Sequence, residues 1–483
     1  MESPDRKRTV FRVAAAGAGW YLFGLLGVLL DSDVPAVGHT RAIFVLSSAA
    51  LLFGLWVYWR HGGTTVSAVG IYNFAFALFV GFAGLYLLSG STDEESLLRA
   101  LVLCYFGHVT TWLLFWTKEP PPEPSGPRPV DPAFLHRLTW IGILVACGAA
   151  VASLEFLGSL RHLSQAAVFV GALLVAIGLL GDERRPPLLG CLLAAGGFAL
   201  SVVTSNSYGR LMLGSLGFAL LIVIARRTRT RLVKALVIPG SVPILLMMAN
   251  MRMDAVRANH PGAQITGTGL ESVASPLGSF GDLLSHNDAG FLAHAWGHTF
   301  WAAAVSLVPR AVWPTKPSGF GAELVPILHP ELANSGHSDA ALFQGEWLYN
   351  FGLIGLVLMV PVVGFVVRAA DHFLARASAR PLMGRHALLA YATAVIIAAG
   401  LPDLVWGTFT FTVRAGMRLA VLIVVWFLIT DRRIEWSGPT LPFGRSGRCS
   451  PTPGRIRPTV AGSSAASLER PASSSAGGSA CGH

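Results

Sequence analysis

The sequence predicts an all-α, polytopic integral membrane protein with about twelve transmembrane helices. Of its 483 residues, 53% are hydrophobic and only 13% are charged. The apolar residues form long uninterrupted runs instead of the amphipathic stripes of soluble helices, which excludes a soluble globular protein. About twelve runs approach the length needed to cross hydrocarbon: residues 10–30, 41–59, 66–89, 97–117, 138–158, 164–181, 188–204, 209–225, 232–250, 347–368, 386–401 and 412–430.

The distribution of lysine and arginine predicts the orientation of these helices. With the N-terminus inside, 26 of the 36 basic residues fall on the cytoplasmic side. The opposite loops are acidic or neutral, for example DSD at 31–33 and TDEE at 92–95. We therefore expect a multi-pass protein of the cytoplasmic membrane with both termini in the cytoplasm. Topology and anionic lipid explain the net charge of +10 without nucleic acid.

Four regions follow from this topology. Residues 1–250 hold helices one to nine, and the first run, which lacks a small-residue cleavage site, is interpreted as a retained anchor. Residues 251–346 form one large external loop, because the apolar segment 291–308 is read as an interfacial or re-entrant helix; a crossing there would reverse the charge bias. Residues 347–433 hold helices ten to twelve. The tail at 434–483, rich in Ser, Pro, Gly and Arg, is expected to be disordered.

The external loop is the first candidate for chemistry. It holds six of the fourteen histidines and four of the ten external basic residues, namely Arg252, Arg257, Arg310 and Lys316. A positive, aromatic-lined outer surface suits an anionic ligand such as a phosphate or diphosphate headgroup. Pairing of these cations with acids of the same loop is the alternative.

The stretch VPRAVWPTKP at 308–317 is the densest part of the loop. Its three prolines restrict the backbone and make the segment stiff without regular structure. A preorganised turn loses less entropy when it binds a ligand. Trp313 lies either at the membrane interface or under a sugar ring, and the interfacial position is favoured for an isolated tryptophan.

The stretch GHSDAALFQGEWLYNFGLIG at 336–355 leads from the loop into the next helix. His337 and Glu346 are both candidate general bases. The alternatives are a hydrogen-bonded loop histidine and a first-turn acid favoured by the helix dipole. Tyr349 and Asn350 follow on the first turns. His294 and His298 have the i, i+4 spacing of zinc ligands but lack the Glu of an HExxH motif, so we interpret them as structural or interfacial.

Arginines also occur near the outer ends of predicted spans. Arg210 lies in TSNSYGRLMLG at 204–214, and Arg414 and Arg418 lie i, i+4 on the last helix. Charged residues within membrane spans are costly and mark functional sites by default. Interhelical pairing with Asp403 or Glu155 is the alternative. The five cysteines form no CxxC pair and indicate neither a metal site nor a disulfide framework.

The motifs VPRAVWPTKPSGFG, GEWLYNFGLIG and SYGR at 207–210, with the large late external loop, resemble bacterial oligosaccharide repeat-unit polymerases of the O-antigen polymerase type. The resemblance covers about residues 200–430. It implies a metal-independent, cofactor-free, inverting glycosyltransferase of polysaccharide biosynthesis in the cell envelope. This enzyme would join polyprenyl-diphosphate-linked oligosaccharides at the outer face of the cytoplasmic membrane.

The resemblance also implies roles for individual residues. Arg210, Arg310 and Lys316 would hold the diphosphate, His337 or Glu346 would act as base, and Arg414 or Arg418 would add supporting charge. Substrate contacts would extend to Arg252, Arg257, Trp313, Tyr349 and Asn350. The implied partners are the lipid-linked oligosaccharide, membrane lipid, a chain-length regulator and a flippase.

Three other functions stay open at the level of the sequence. An O-antigen ligase-like transferase would use the same donor with a different acceptor. A transporter or flippase of lipid-linked glycan would show charge near the middle of the membrane, paired broken helices and an internal repeat. A non-catalytic assembly scaffold is the third.

Overall fold

The computed structural model describes residues 37–88, 93–115, 132–152, 161–181, 190–192, 194, 196, 198, 210–259, 269–308, 312–333, 338–380, 382 and 385–430. The predicted anchor at 10–30 and the predicted disordered tail lie outside these residues. Within them every regular element is helical and no strand occurs, which confirms the all-α class.

The α-helices, numbered in chain order, are α1 (Val37–Arg60), α2 (Ala68–Leu87), α3 (Glu94–Phe115), α4 (Pro132–Ala152), α5 (Arg161–Leu180), α6 (Arg210–Thr228), α7 (Arg231–Asn259), α8 (Glu271–Asp288), α9 (His298–Ala304), α10 (Phe320–Leu328), α11 (Leu342–Ala379), α12 (Arg385–Ala399), α13 (Leu401–Trp406) and α14 (Thr408–Thr430). A short 3₁₀ turn, Pro330–Leu332, follows α10.

Eight helices of the described residues are long and apolar enough to cross a membrane: α1, α2, α4, α5, α6, α11, α12 continued by α13, and α14. The protein is therefore a polytopic helical membrane protein. The predicted runs 97–117 and 232–250 coincide largely with α3 and α7, which are helical but are not among the eight. The run at 188–204 is only partly described, so the number of twelve stays a prediction.

Glycines set the spacing between α1 and α2. A Cβ on Gly81 would lie 2.5 Å from the backbone nitrogen of Leu51, and one on Gly54 would lie 2.5 Å from the carbonyl oxygen of Asn73. The contact falls where α2 widens into a π-helical turn, Ala77–Phe82. Small residues let the backbones of membrane helices approach this closely, and dispersion then stabilises the pair.

The loops with an excess of basic residues meet at one end of the bundle. Lys234 Nζ donates a 2.7 Å hydrogen bond to the carbonyl oxygen of His61, and Arg226 donates to the carbonyl oxygen of Arg380 at 3.2 Å. His61 in turn lies 3.9 Å from Asp371. Contacts among these three regions agree with the topology that the charge bias predicts. The assignment of this end to the cytoplasm stays a prediction.

The opposite end is covered by α8, which belongs to the predicted external loop. Its inner face buries Leu277, Phe280 and Leu284 against the bundle. Polar contacts fix its two ends, because Tyr86 donates to Glu271 and Ser96 shares a hydrogen bond with Ser285. The helix thus closes the bundle over the ends of α2 and α3.

The apolar segment 291–308 of the loop does not form a helix long enough to cross a membrane. Within the apolar segment 291–308 the single helix is α9, seven residues long, with turns after it. The segment is not among the eight candidate spans. The helix after the loop begins at Leu342, five residues earlier than the predicted run, and extends to Ala379.

We expect Gly81→Ala to destabilise the protein, because the added methyl group collides with the backbone of α1. Overpacking of this kind costs about 1–3 kcal/mol. The midpoint of thermal unfolding in detergent micelles measures the effect.

Gly148→Ala on α4 is the matched control, because no atom lies within 4 Å of a Cβ there. Its midpoint should stay the same or rise, since alanine is the better helix former by about 1 kcal/mol. Equal midpoints for the two variants would contradict the packing argument.

Candidate functional site

The candidate site is built around a break in α11. Gly352 has φ +63° and ψ −155°, a conformation open essentially to glycine alone, and it separates two helical segments. The break leaves carbonyl groups of the first segment without helical partners. Two loop amides satisfy them: Ala295 N donates to the carbonyl of Tyr349 at 3.0 Å, and Trp296 N donates to that of Asn350 at 2.9 Å. The predicted external loop is thereby fixed to the end of a helix.

Strained backbone also occurs in the loop that binds the break and at the first residue of α11. Trp296 has φ +47° and Leu342 has φ +57°. They are two of the three non-glycine residues with positive φ among the described residues. Such conformations persist only where the surroundings enforce them, and they concentrate at functional sites.

The carboxylate of Glu346 lies at the centre of this region and is completely buried. Thr299 Oγ1 donates to Oε1 at 3.0 Å, and the backbone N–H of Phe409 donates to Oε2 at 2.9 Å. Phe409 belongs to the first turn of α14, so the carboxylate caps that helix and faces the positive end of its dipole. Asn350 Nδ2 completes the network with hydrogen bonds to Thr299 Oγ1 at 2.6 Å and to the carbonyl of Glu346 at 2.7 Å.

A second carboxylate, Glu323 of α10, lies on the loop side of the break. It accepts hydrogen bonds from Ser318 Oγ at 3.1 Å and from Tyr349 Oη at 3.1 Å. His298 Nδ1 lies 3.0 Å from its Oε1. The carboxylate side chain is 15% exposed, whereas the imidazole is 47% exposed. One end of this dyad is therefore held within the protein while the other faces outward.

A third buried carboxylate, Asp403, joins α13 to two neighbouring helices. Arg414 Nη1 donates to it at 2.7 Å, Arg418 Nη1 at 3.2 Å and Ser215 Oγ at 3.1 Å. The guanidinium of Arg418 also lies 4.3 Å above the ring of Phe169. Two arginines thus share one carboxylate, which is the pairing that the sequence left open as an alternative; Glu155 lies outside the described residues.

The structure places the remaining predicted residues as follows. Lys316 Nζ donates to the carbonyl oxygens of Ser306 at 2.8 Å and Val308 at 2.9 Å, so it holds the turn after α9. Trp313 Nε1 donates to Thr315 Oγ1 at 3.1 Å. Arg310 and His337 lie outside the described residues. Arg210 begins α6, and Arg252 and Arg257 lie on α7, but their side chains are not described.

The structure therefore brings Glu346, Tyr349 and Asn350 together with His298 and with the start of α14. It puts Arg414 and Arg418 in a separate cluster at Asp403. His294, which we predicted to be structural, packs against the break: a Cβ on Gly352 would lie 2.9 Å from its Nε2. Across the described residues no group of three or more His, Cys, Asp or Glu side chains is arranged to hold a metal ion.

Sequence reasoning missed the roles of Thr299 and Glu323. Thr299 carries no pattern of its own, and Glu323 is one of eight acids in the predicted loop. The available signal was the position of Glu323 in the first turn of α10, five residues after Ser318. Nothing in the sequence couples it to Tyr349, because that contact depends on how the loop folds back on α11.

The fold and this polar centre define a polytopic α-helical membrane protein with a discontinuous helix that binds the loop preceding it. Comparisons of the chain with protein-family models, with curated proteins and with solved structures find no match. The function is therefore inferred from the residues and their geometry.

We expect Asp403→Asn to destabilise the protein strongly, because it leaves the buried Arg418 without a counter-charge. Breaking a buried ion pair costs about 3–5 kcal/mol. Thermal unfolding in detergent should show a large drop in midpoint.

Asp288→Asn is the control, because Asp288 forms an exposed ion pair with Arg99. Exposed pairs contribute about 0–1 kcal/mol, so this midpoint should barely move. A small effect of Asp403→Asn would show that the arginines do not depend on this carboxylate.

We expect Gly352→Ala to destabilise the structure around the break in α11. Alanine rarely adopts this backbone conformation, and its Cβ would collide with His294. The strain costs about 1–3 kcal/mol. Gly290→Ala separates the two causes, since Gly290 also has positive φ (+73°) but nothing lies within 4 Å of a Cβ there. Thermal unfolding and protease cleavage within 291–308 measure the result, and equal behaviour of the variants would rule out the collision.

Proposed function

We propose that the chain is a membrane glycosyltransferase that polymerises polyprenyl-diphosphate-linked oligosaccharide repeat units at the outer face of the cytoplasmic membrane. One observation carries the proposal. Glu346, Tyr349 and Asn350 of the GEWLYNFGLIG motif bind loop residues and the start of α14 around the break in α11. One of the three motifs on which the family resemblance rests therefore builds a preorganised polar centre.

The surroundings of this centre suit a lipid-linked anionic substrate. Arg414 and Arg418 bring two positive charges to the single carboxylate of Asp403, and Arg414 is 30% exposed. An anionic headgroup would balance the second charge and gain from the low dielectric of the site. Lys316 would act indirectly, by holding the turn that precedes Arg310.

The contacts of Glu346 favour a positioning role for this residue over that of a base. Its carboxylate is fully buried and already accepts hydrogen bonds from Thr299 and Phe409. A general base must reach the hydroxyl of the acceptor. In the proposed enzyme Glu346 therefore keeps α9, α11 and α14 in register around the substrate.

A transporter or flippase of lipid-linked glycan is the second candidate. The observation in its favour is the combination of a broken helix with the buried Asp403–Arg418 pair, because transporters use discontinuous helices and charged side chains within the membrane. Both candidates share the substrate but differ in the product.

Reconstituted vesicles distinguish the two functions. The purified protein is incorporated with polyprenyl-diphosphate-linked oligosaccharides extracted from the cells that produce it. We expect longer lipid-linked glycans, separated by gel electrophoresis, together with released polyprenyl diphosphate. Transfer of the glycan across the bilayer without elongation would establish the transporter instead.

Substitutions then test the external cations. Arg310→Gln should lower elongation by about 100-fold, because removing one electrostatic contact to the reacting group costs about 3–4 kcal/mol. Lys316→Gln should lower elongation by less, because Lys316 acts only through the turn that precedes Arg310. Arg376→Gln, an exposed arginine at the opposite end of the bundle, is the matched control and should leave elongation unchanged. Equal rates in all three variants would exclude the external cations from the site.

A further inference from the structure

His298 and Glu323 have the geometry of an oriented base. His298 Nδ1 lies 3.0 Å from Glu323 Oε1, so the imidazole donates its Nδ1–H to the carboxylate. This hydrogen bond selects the tautomer in which Nε2 carries a free lone pair. The side chain is 47% exposed, so the protein does not enclose the ring.

The carboxylate that orients the ring is itself held in place. Ser318 Oγ and Tyr349 Oη each donate to Glu323 at 3.1 Å, one to each carboxylate oxygen. A catalytic base supported by a fixed carboxylate is the arrangement that recurs in proton-transferring enzymes. Tyr349 thereby connects the motif on α11 directly to the dyad.

The backbone on both sides of His298 is also constrained. Trp296 and Gly297 have φ +47° and +87°, and Trp296 N is bonded to the carbonyl of Asn350. On the other side Thr299 is bonded to Glu346 and Asn350. The imidazole is therefore presented from a rigid turn, which reduces the entropy lost in reaching a reactive geometry.

His329, another histidine of the same loop, has a different arrangement of carboxylates from His298. His329 Nδ1 lies 3.6 Å from Glu331 and its Nε2 lies 3.4 Å from Asp339. Carboxylates thus face both of its ring nitrogens. Its side chain is 41% exposed, close to that of His298. Exposure alone does not distinguish the two histidines, whereas the arrangement of their partners does.

We propose that His298 is the general base of the glycosyl transfer and that Glu323 is its positioning residue, an assignment that rests on the proposed function. His298 Nε2 accepts the proton of the acceptor sugar hydroxyl. The hydroxyl oxygen forms a bond to the anomeric carbon of the donor, and the bond from that carbon to the diphosphate oxygen breaks. Polyprenyl diphosphate leaves with the electron pair, and the imidazolium, stabilised by Glu323, then releases its proton to water.

The test uses the full-length protein in vesicles with the lipid-linked oligosaccharides described above. We expect His298→Ala to lower kcat for elongation by at least about 100-fold with little change in KM, as for the loss of a general base. Added imidazole should restore part of the rate. Glu323→Gln should lower kcat less and leave KM unchanged. His329→Ala is the matched control and should elongate normally.

If His298→Ala melts at a lower temperature than the unaltered protein, His298→Gln serves in its place, since glutamine retains a donor for Glu323. The same loss of kcat is expected. Elongation by both His298 variants at the rate of His329→Ala would overturn the assignment while leaving the glycosyltransferase proposal intact. A raised KM without imidazole rescue would make His298 a binding residue and also overturn it. If the unaltered protein elongates nothing, the proposed function falls and the base assignment falls with it.

Discussion

The rest of the site depends on the hydrogen bonds that the buried carboxylate of Glu346 accepts. This carboxylate is buried at the N-terminus of α14, where the backbone N–H of Phe409 and the hydroxyl of Thr299 each donate a hydrogen bond to it. A single side chain thereby connects the first segment of the broken helix α11, the loop helix α9 and the final helix α14. A buried charge is tolerated only with such compensation, because its desolvation costs several kcal/mol. The dipole and the donors of α14 supply that compensation.

A second consequence concerns how the loop between α7 and α11 is ordered. Ordering the roughly eighty residues between the end of α7 and the start of α11 costs a large conformational entropy. Here α8 repays part of it by burying an apolar face on the bundle, and the break at Gly352 offers carbonyl groups to the amides of Ala295 and Trp296. The loop is therefore held by apolar packing at one side and by polar contacts at the other. The dyad of His298 and Glu323 lies on the polar side, where the backbone is fixed but the surface is open to water.

Most of the fold was predictable because transmembrane helices are specified locally. A run of about twenty apolar residues must satisfy its own backbone hydrogen bonds in hydrocarbon, so the run itself dictates a helix. The eight candidate spans fall on predicted runs, and contacts such as Lys234 with His61 agree with the grouping of basic loops. The site was less predictable. The sequence pointed to four site residues because they are polar or charged in or beside apolar runs: Glu346, Tyr349, Asn350 and Arg418. It did not identify their partners, except for Asp403, which it offered as one alternative for the arginines.

The sequence by itself determined the all-α membrane architecture, the asymmetric distribution of charge and the polar segments that supply the candidate site. These properties depend on composition and on spacing along one helix. Only the tertiary structure decided which polar groups meet: Glu346 with α14, Arg414 and Arg418 with Asp403, and His298 with Glu323. Those contacts join residues 11 to 63 positions apart. They form because a buried charge must bind a partner that helix packing brings close to it. The local sequence around each residue does not predict that partner.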